Sequence, residues 1–228
     1  MRKALFLLLG LLTAPWWVDA QIGMIVDEDG WTNLRATPNW KADILWRIPE
    51  DIIFWYDDDA YEADSVWIEV VIPADTLSPG PPTVYPEEEL VAGYVHRSRI
   101  RDLYNLAPYT GKDFSFKYIL EEFDPTGRTI EYYGENLVKT IDHRSPWGTD
   151  GSMPKIAVQS VKVQLEGKEL LVPQYCFADL FECSYDVEIV RVKDLFFVHQ
   201  WNSDGAGGYQ LTWVFSEKGL ERRIVLVP

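Results

Sequence analysis

Asp27-Glu28-Asp29-Gly30-Trp31-Thr32-Asn33-Leu34-Arg35 is the stretch on which the fold turns. An acidic run ends in a glycine, the residue that takes up the positive φ of a tight turn at no steric cost. A strand follows, with Leu34 pointing inward and Asn33 placed to bond the backbone of a nearby loop. Ala36-Thr37-Pro38 then breaks it. Outward from here the chain keeps the same character. Ile44-Leu45 and Ile52 to Tyr56 are short β-rich runs. In Trp67 to Ile72, Ile68, Val70 and Ile72 share one face, while Trp67, Glu69 and Val71 take the other, the period-two signature of a strand.

The second half repeats this pattern. Phe114, Phe116, Tyr118 and Leu120 alternate. Tyr209, Leu211, Trp213 and Phe215 share a face opposite Gln210, Thr212 and Val214. Turn signals separate the runs at Asp124-Pro125-Thr126-Gly127, Glu166-Gly167 and Glu217-Lys218-Gly219. Asp204-Gly205-Ala206-Gly207-Gly208 precedes a strand rather than a helix, so it reads as a hairpin turn and not as a phosphate cradle. Only Pro173 to Glu182 could hold a short helix. The expectation is an all-β chain with mostly antiparallel sheets.

The N-terminal stretch resembles the bacterial SH3 (SH3b) domain family. The acidic-Gly turn and Trp31-Thr32-Asn33-Leu34-Arg35 are similar to its opening "W-x-N-[VL]-R". Trp67-Ile68-Glu69-Val70 is similar to its "W-x-x-V" strand, and Gly93-Tyr94-Val95-His96-Arg97-Ser98-Arg99-Ile100 to its closing "G-Y-V-H-x-S-x-[LI]". The resemblance covers residues 22–103. It implies an SH3-like barrel that recognises a peptide, a cell-wall fragment or a protein partner. One departure is a Pro-rich insertion over 73–90, where the family has a short turn. The expected organisation is a signal peptide over 1–20, the barrel over 21–103, a linker over 104–112 and a β-rich domain over 113–228 that resembles no characterised family.

Arg2 and Lys3, the apolar run Leu5 to Leu12 and the small-residue site Val18-Asp19-Ala20 are the marks of the signal peptide, which implies a periplasmic or secreted protein. That apolar run is much shorter than the roughly 20 residues of a spanning helix, and no later stretch is a candidate span. The net charge is −15, and −16 without the first twenty residues; residues 21–103 alone carry −11. Such a surface repels phosphate backbones, which argues against nucleic acid as a partner, and it would attract a cationic one. Cys176 and Cys183 are the only cysteines, and an even pair in an exported chain predicts a disulfide.

Exposed aromatics and acids of the N-terminal half are the candidate ligand-binding residues: Trp55, Tyr56, Trp67 and Tyr94, with Asp57, Asp58 and Asp59 in a loop after a strand. Trp31 stands with them among the solvent-side aromatics, and Trp40 and Trp46 add to a count beyond what one small barrel buries. The acidic loop lacks the spacing of a calcium loop, and no metal site or cofactor is expected. Of the three histidines, only His143 lies in a loop suited to chemistry. Neither G-x-S-x-G nor H-E-x-x-H occurs, so no catalytic residue is assigned. Three functions stand: a binding protein of the bacterial envelope, a periplasmic inhibitor or immunity-type protein that neutralises a basic enzyme or toxin, and a carboxylate-dependent hydrolase.

Overall fold

The computed structural model describes residues 20–73 and 90–226. The predicted signal peptide up to residue 19, and the Pro-rich insertion apart from its flanking strand residues Pro73 and Leu90, lie outside the described residues. The fold is all-β and antiparallel, as the alternating runs predict.

The N-terminal half forms one sheet from β1 (Ala20–Ile25), β2 (Trp31–Arg35), β3 (Ile44–Pro49), β4 (Ile53–Asp57), β5 (Trp67–Pro73), β6 (Leu90–His96) and β7 (Ile100–Asp102), in the order β3-β2-β6-β5-β4-β1-β7. All seven strands send residues into one apolar cluster, from Ile48 on β3 through Leu34, Val95, Ile68, Phe54 and Ile25 to Ile100 on β7. Two edge strands that reach the same cluster require a curled sheet. Gly93 marks the closest approach: a Cβ there would lie 2.8 Å from the Arg35 carbonyl oxygen and the Leu34 side chain. Gly30, with φ +75°, makes the predicted tight turn. Barrel closure, however, is not found among the described residues, because β3 and β7 do not pair. β7 is only three residues long, and the chain then leaves the sheet for the second half.

The C-terminal half comprises β8 (Phe114–Glu122), β9 (Ile130–Tyr133), β10 (Leu137–Ile141), β11 (Ile156–Leu165), β12 (Lys168–Leu170), β13 (Glu188–Val192), β14 (Leu195–Asn202), β15 (Tyr209–Ser216) and β16 (Gly219–Leu226). A three-stranded sheet β12-β11-β8 faces a four-stranded sheet β13-β14-β15-β16, with β9 and β10 forming a small hairpin. The two faces read in Tyr209 to Phe215 are both buried. Tyr209, Leu211, Trp213 and Phe215 pack against Phe114, Phe116 and Tyr118 of β8. Val214 turns the other way and joins Phe197, Val190, Ile224 and Leu226 against Ile22, Met24 and Ile53 of the N-terminal sheet. The four-stranded sheet is therefore the middle of three layers, and every residue of β15 is buried.

The predicted linker runs along this junction. The Tyr104 hydroxyl donates to Gln210 Oε1 (2.8 Å), and its ring meets His199 edge to face at 5.2 Å. Pro108 bridges to Val190, and the Tyr109 N–H donates to the Ile189 carbonyl at 2.7 Å. Ion pairs add to the junction: Lys193 with Glu50, and Arg222 with Asp51 at 2.7 Å.

Two outcomes follow from the shared apolar layer. Phe197 is fully buried between the sheets, so Phe197→Ala should cost about 3–5 kcal/mol and shift a single urea transition seen alike by tryptophan fluorescence and far-UV circular dichroism. Separate transitions for the two halves would contradict this. His199 is 1% exposed at the same junction and its Nε2 has no hydrogen-bond partner among the described residues. Burial lowers its pKa below the ordinary 6.5, against the opposing pull of Glu188 and Asp102. The unfolded chain then binds the proton more readily, so this contribution to stability is complete above pH ~7 and is lost as pH falls below ~6.5. Urea midpoints between pH 7.5 and 5.5 should fall less steeply in His199→Gln than in the parent.

Candidate ligand groove

Outward side chains of the N-terminal sheet converge on one place. On β2, Leu34 is buried while Trp31, Asn33 and Arg35 take the opposite face. On β5 and β6 the register sets Trp67 directly opposite His96, with Ile68 and Val95 turned into the core. After β2 the chain makes an Asx turn, in which Asn39 Oδ1 accepts the Lys41 N–H at 2.9 Å. That turn brings Trp40 back over the strands. Trp40 stacks on His96 (centroids 4.8 Å, planes 28° apart) and meets Trp67 edge-on at 4.7 Å. The three rings border a groove of about 120 Å³ that Trp31, Asn33, Arg35 and Arg99 complete.

The groove's electrostatics are local. Asp27 pairs with Arg99 and accepts the Asp29 N–H at 3.1 Å, so this acid and base satisfy one another. The Arg47 guanidinium lies over the Trp31 ring at 4.3 Å. Burial and the nearby Arg99 lower the His96 pKa, which keeps the imidazole neutral at pH 7. Its Nδ1 lies 2.7 Å from the Ser98 hydroxyl and 3.3 Å from the Ser98 N–H, so Ser98 holds the ring in place. Asn33 Oδ1 is buried and has no hydrogen-bond partner among the described residues. A buried acceptor without a partner costs about 1–3 kcal/mol, and a ligand N–H or O–H would recover it once a side-chain shift in the groove uncovers the atom. Trp40 remains 59% exposed despite its two ring contacts, so an apolar face is open to a ligand.

The seven residues singled out in the sequence fall in separate places. Trp67 is in the groove. Tyr94 is half-buried on the same face of β6, opposite Glu69 and Arg35 in register. Trp55 is half-buried against the junction between the two halves. Tyr56 is 1% exposed, a core residue whose hydroxyl donates to Asp102 Oδ2 at 2.9 Å; burial and that carboxylate raise its pKa. The acidic loop is a short helix, α1 (Asp58–Glu62). Asp57 caps it by accepting the Ala60 N–H at 3.0 Å, and Asp58 and Asp59 occupy its first turn. Carboxylates there complement the positive end of the helix, which gives this acidic run a local structural role. No cluster of three or more metal-ligating side chains occurs among the described residues. Trp31, one of the solvent-side aromatics of the sequence, also lines the groove, whereas Trp40 is only a surplus aromatic in the sequence pattern and Asn33 and His96 read there as scaffold. The signal for His96 was present: two adjacent period-two strands set it beside Trp67.

The predicted disulfide is corrected. Cys176 and Cys183 are both free thiols, 1% and 5% exposed. Each packs into the core between β8 and β15 as a small apolar group. Cys183 Sγ lies 3.1 Å from the Tyr209 hydroxyl, which donates to the Phe181 carbonyl at 2.9 Å. Burial pushes the Cys176 thiol up to about 11 and the Cys183 thiol up to about 12. In the folded protein both should react with a thiol reagent at pH 8 far more slowly than a free cysteine. After denaturation two equivalents should react without a reductant; zero equivalents would restore the disulfide. No protein-family model, no curated protein and no solved structure matches the chain.

Proposed function

We propose that the chain is an exported, non-catalytic binding protein of the bacterial envelope. Its N-terminal half is a bacterial SH3-like module with a C-terminal β domain docked on it. The module recognises a peptide, a cell-wall fragment or a partner protein. One observation carries the reading: an exposed Trp40, in ring contact with the half-buried Trp67 and His96, lines one groove with Asn33, whose Oδ1 is buried and has no hydrogen-bond partner among the described residues. Aromatic faces give contact area at low entropic cost, and a single unsatisfied acceptor fixes orientation. The stretches that carry the family resemblance also supply this groove, through Trp31, Asn33, Trp67 and His96. The ligand is thereby assigned to this face, on the opposite side of β5 from the buried Ile68, Val70 and Ile72.

The reading in which the protein neutralises a basic enzyme or toxin draws on a different feature, the −11 charge of residues 21–103. It needs an acidic surface rather than the groove, so variants separate the two.

The first test is retention on purified peptidoglycan and on immobilised envelope extract, compared for the parent, Trp40→Ala, Asn33→Ala and a triple Asp→Asn change at 57–59. Trp40→Ala should weaken binding about thirtyfold, the effect of a hot-spot aromatic worth about 2 kcal/mol. Asn33→Ala should weaken it less and leave stability unchanged or raised, since it removes an unsatisfied polar atom. Binding that depends on the triple change and salt, with Trp40→Ala equal to the parent, would move the function to the acidic surface. Turnover of a glycan or peptide substrate would overturn the non-catalytic reading.

A further inference from the structure

Strand β8 lies at the outer edge of its sheet, paired with β11 on one side only. The route of the chain explains the opening. Residues 108 and 109 run along β13, and past Asp113 the chain crosses to the facing sheet as β8. Beyond the crossing, the free edge of β8 at Phe116 to Ile119 borders a groove of about 490 Å³ with Val187 and the 62% exposed Tyr185 beside it. At nine residues this is a long edge, and an unpaired edge presents backbone donors and acceptors to another strand.

The charges on that edge select one partner. On the solvent face of β8, Lys117 and Glu121 stand symmetrically about Ile119. Within the sheet, Lys117 sits opposite Lys162, a like-charge pair that destabilises an antiparallel ladder. Lys117 makes no hydrogen bond or ion pair among the described residues. Glu121 Oε2 accepts the Gln159 amide at 2.8 Å, which holds the carboxylate beside the strand. Lysine alone on an edge discourages pairing. Lysine and glutamate two residues either side of a centre favour one register, the antiparallel one about that centre.

We propose that two copies of this chain associate through their β8 edges about a two-fold axis at Ile119, joining the two three-stranded sheets into one of six strands. In that register Lys117 of each copy faces Glu121 of the other, and the acid offsets the Lys117–Lys162 repulsion. Tyr118 meets Leu120 of the second copy on the core side. The contact is isologous, so one surface supplies both halves and the assembly closes at a dimer.

Sedimentation velocity over a range of concentrations tests this, with far-UV circular dichroism to verify the fold of each variant. The parent should show a concentration-dependent monomer–dimer equilibrium. Lys117→Glu sets four carboxylates along the contact and should weaken association at least tenfold, as should Glu121→Lys with four ammonium groups. The double variant K117E/E121K restores opposite charges across the axis and should recover dimerisation. A parent that stays monomeric throughout, or a double variant no better than the singles, overturns the proposal.

Discussion

Strand β15 has no solvated side, and the architecture follows from that. A strand covered on both faces needs two apolar layers, and the chain supplies one from each half. Phe114, Phe116 and Tyr118 cover the Tyr209–Phe215 face, while Ile22, Met24 and Ile53 cover the Val214 face. The second cover is incomplete in chemistry. His199, Gln210 and Thr212 also point to it, all three buried and each with an atom left unpartnered. Such groups weaken a layer that apolar residues would tighten, and His199, the one titratable group of the three, makes the junction between the halves responsive to acid.

Much of the strand pattern was legible, because period-two alternation reports directly on two-sided environments. It identified Leu34 as inward, separated the two faces of β5 and β15, and read the glycine-rich 204–208 segment as a hairpin. What alternation does not reveal is the cover on the second face. Gln210 and Thr212 look like the wet side of a half-exposed strand until a second sheet is known to lie there. Barrel closure failed to follow from the sequence for a related reason: pairing of the edge strands β3 and β7 depends on a strand only three residues long, after which the chain leaves for the C-terminal half.

The site was less legible than the fold. The sequence singled out an aromatic-acidic run that proved to be three local structures: Trp55 facing the junction, Tyr56 in the core, and Asp57 as a helix cap. Adjacent residues on a strand point to opposite faces, so a contiguous run rarely makes one surface. The groove is assembled instead from positions far apart in the chain, and its key pair, Trp67 and His96, meets only through sheet register. The cysteine inference failed on similar grounds. An even count fixes parity, whereas pairing depends on where packing puts each thiol, and both are taken up separately by the core.

The charges around the groove bear on what it can accept. The half of the chain that holds it is strongly acidic, whereas the residues bordering it are balanced, Arg35 and Arg99 against Asp27 and Asp29, with Arg47 close by over Trp31 and Arg35 over Trp40. Arg99 is neutralised by Asp27, and the Arg35 guanidinium donates to the Ala42 carbonyl at 2.9 Å while keeping its charge. At long range the acidic surface slows the approach of anions, and salt screens that effect beyond about 10 Å. At short range the fixed guanidinium disfavours a cation held against the rings. A polyanion is penalised by the first term and a simple cation by the second. On the proposed reading, the ligand least opposed by either is neutral or zwitterionic, with an apolar face for Trp40.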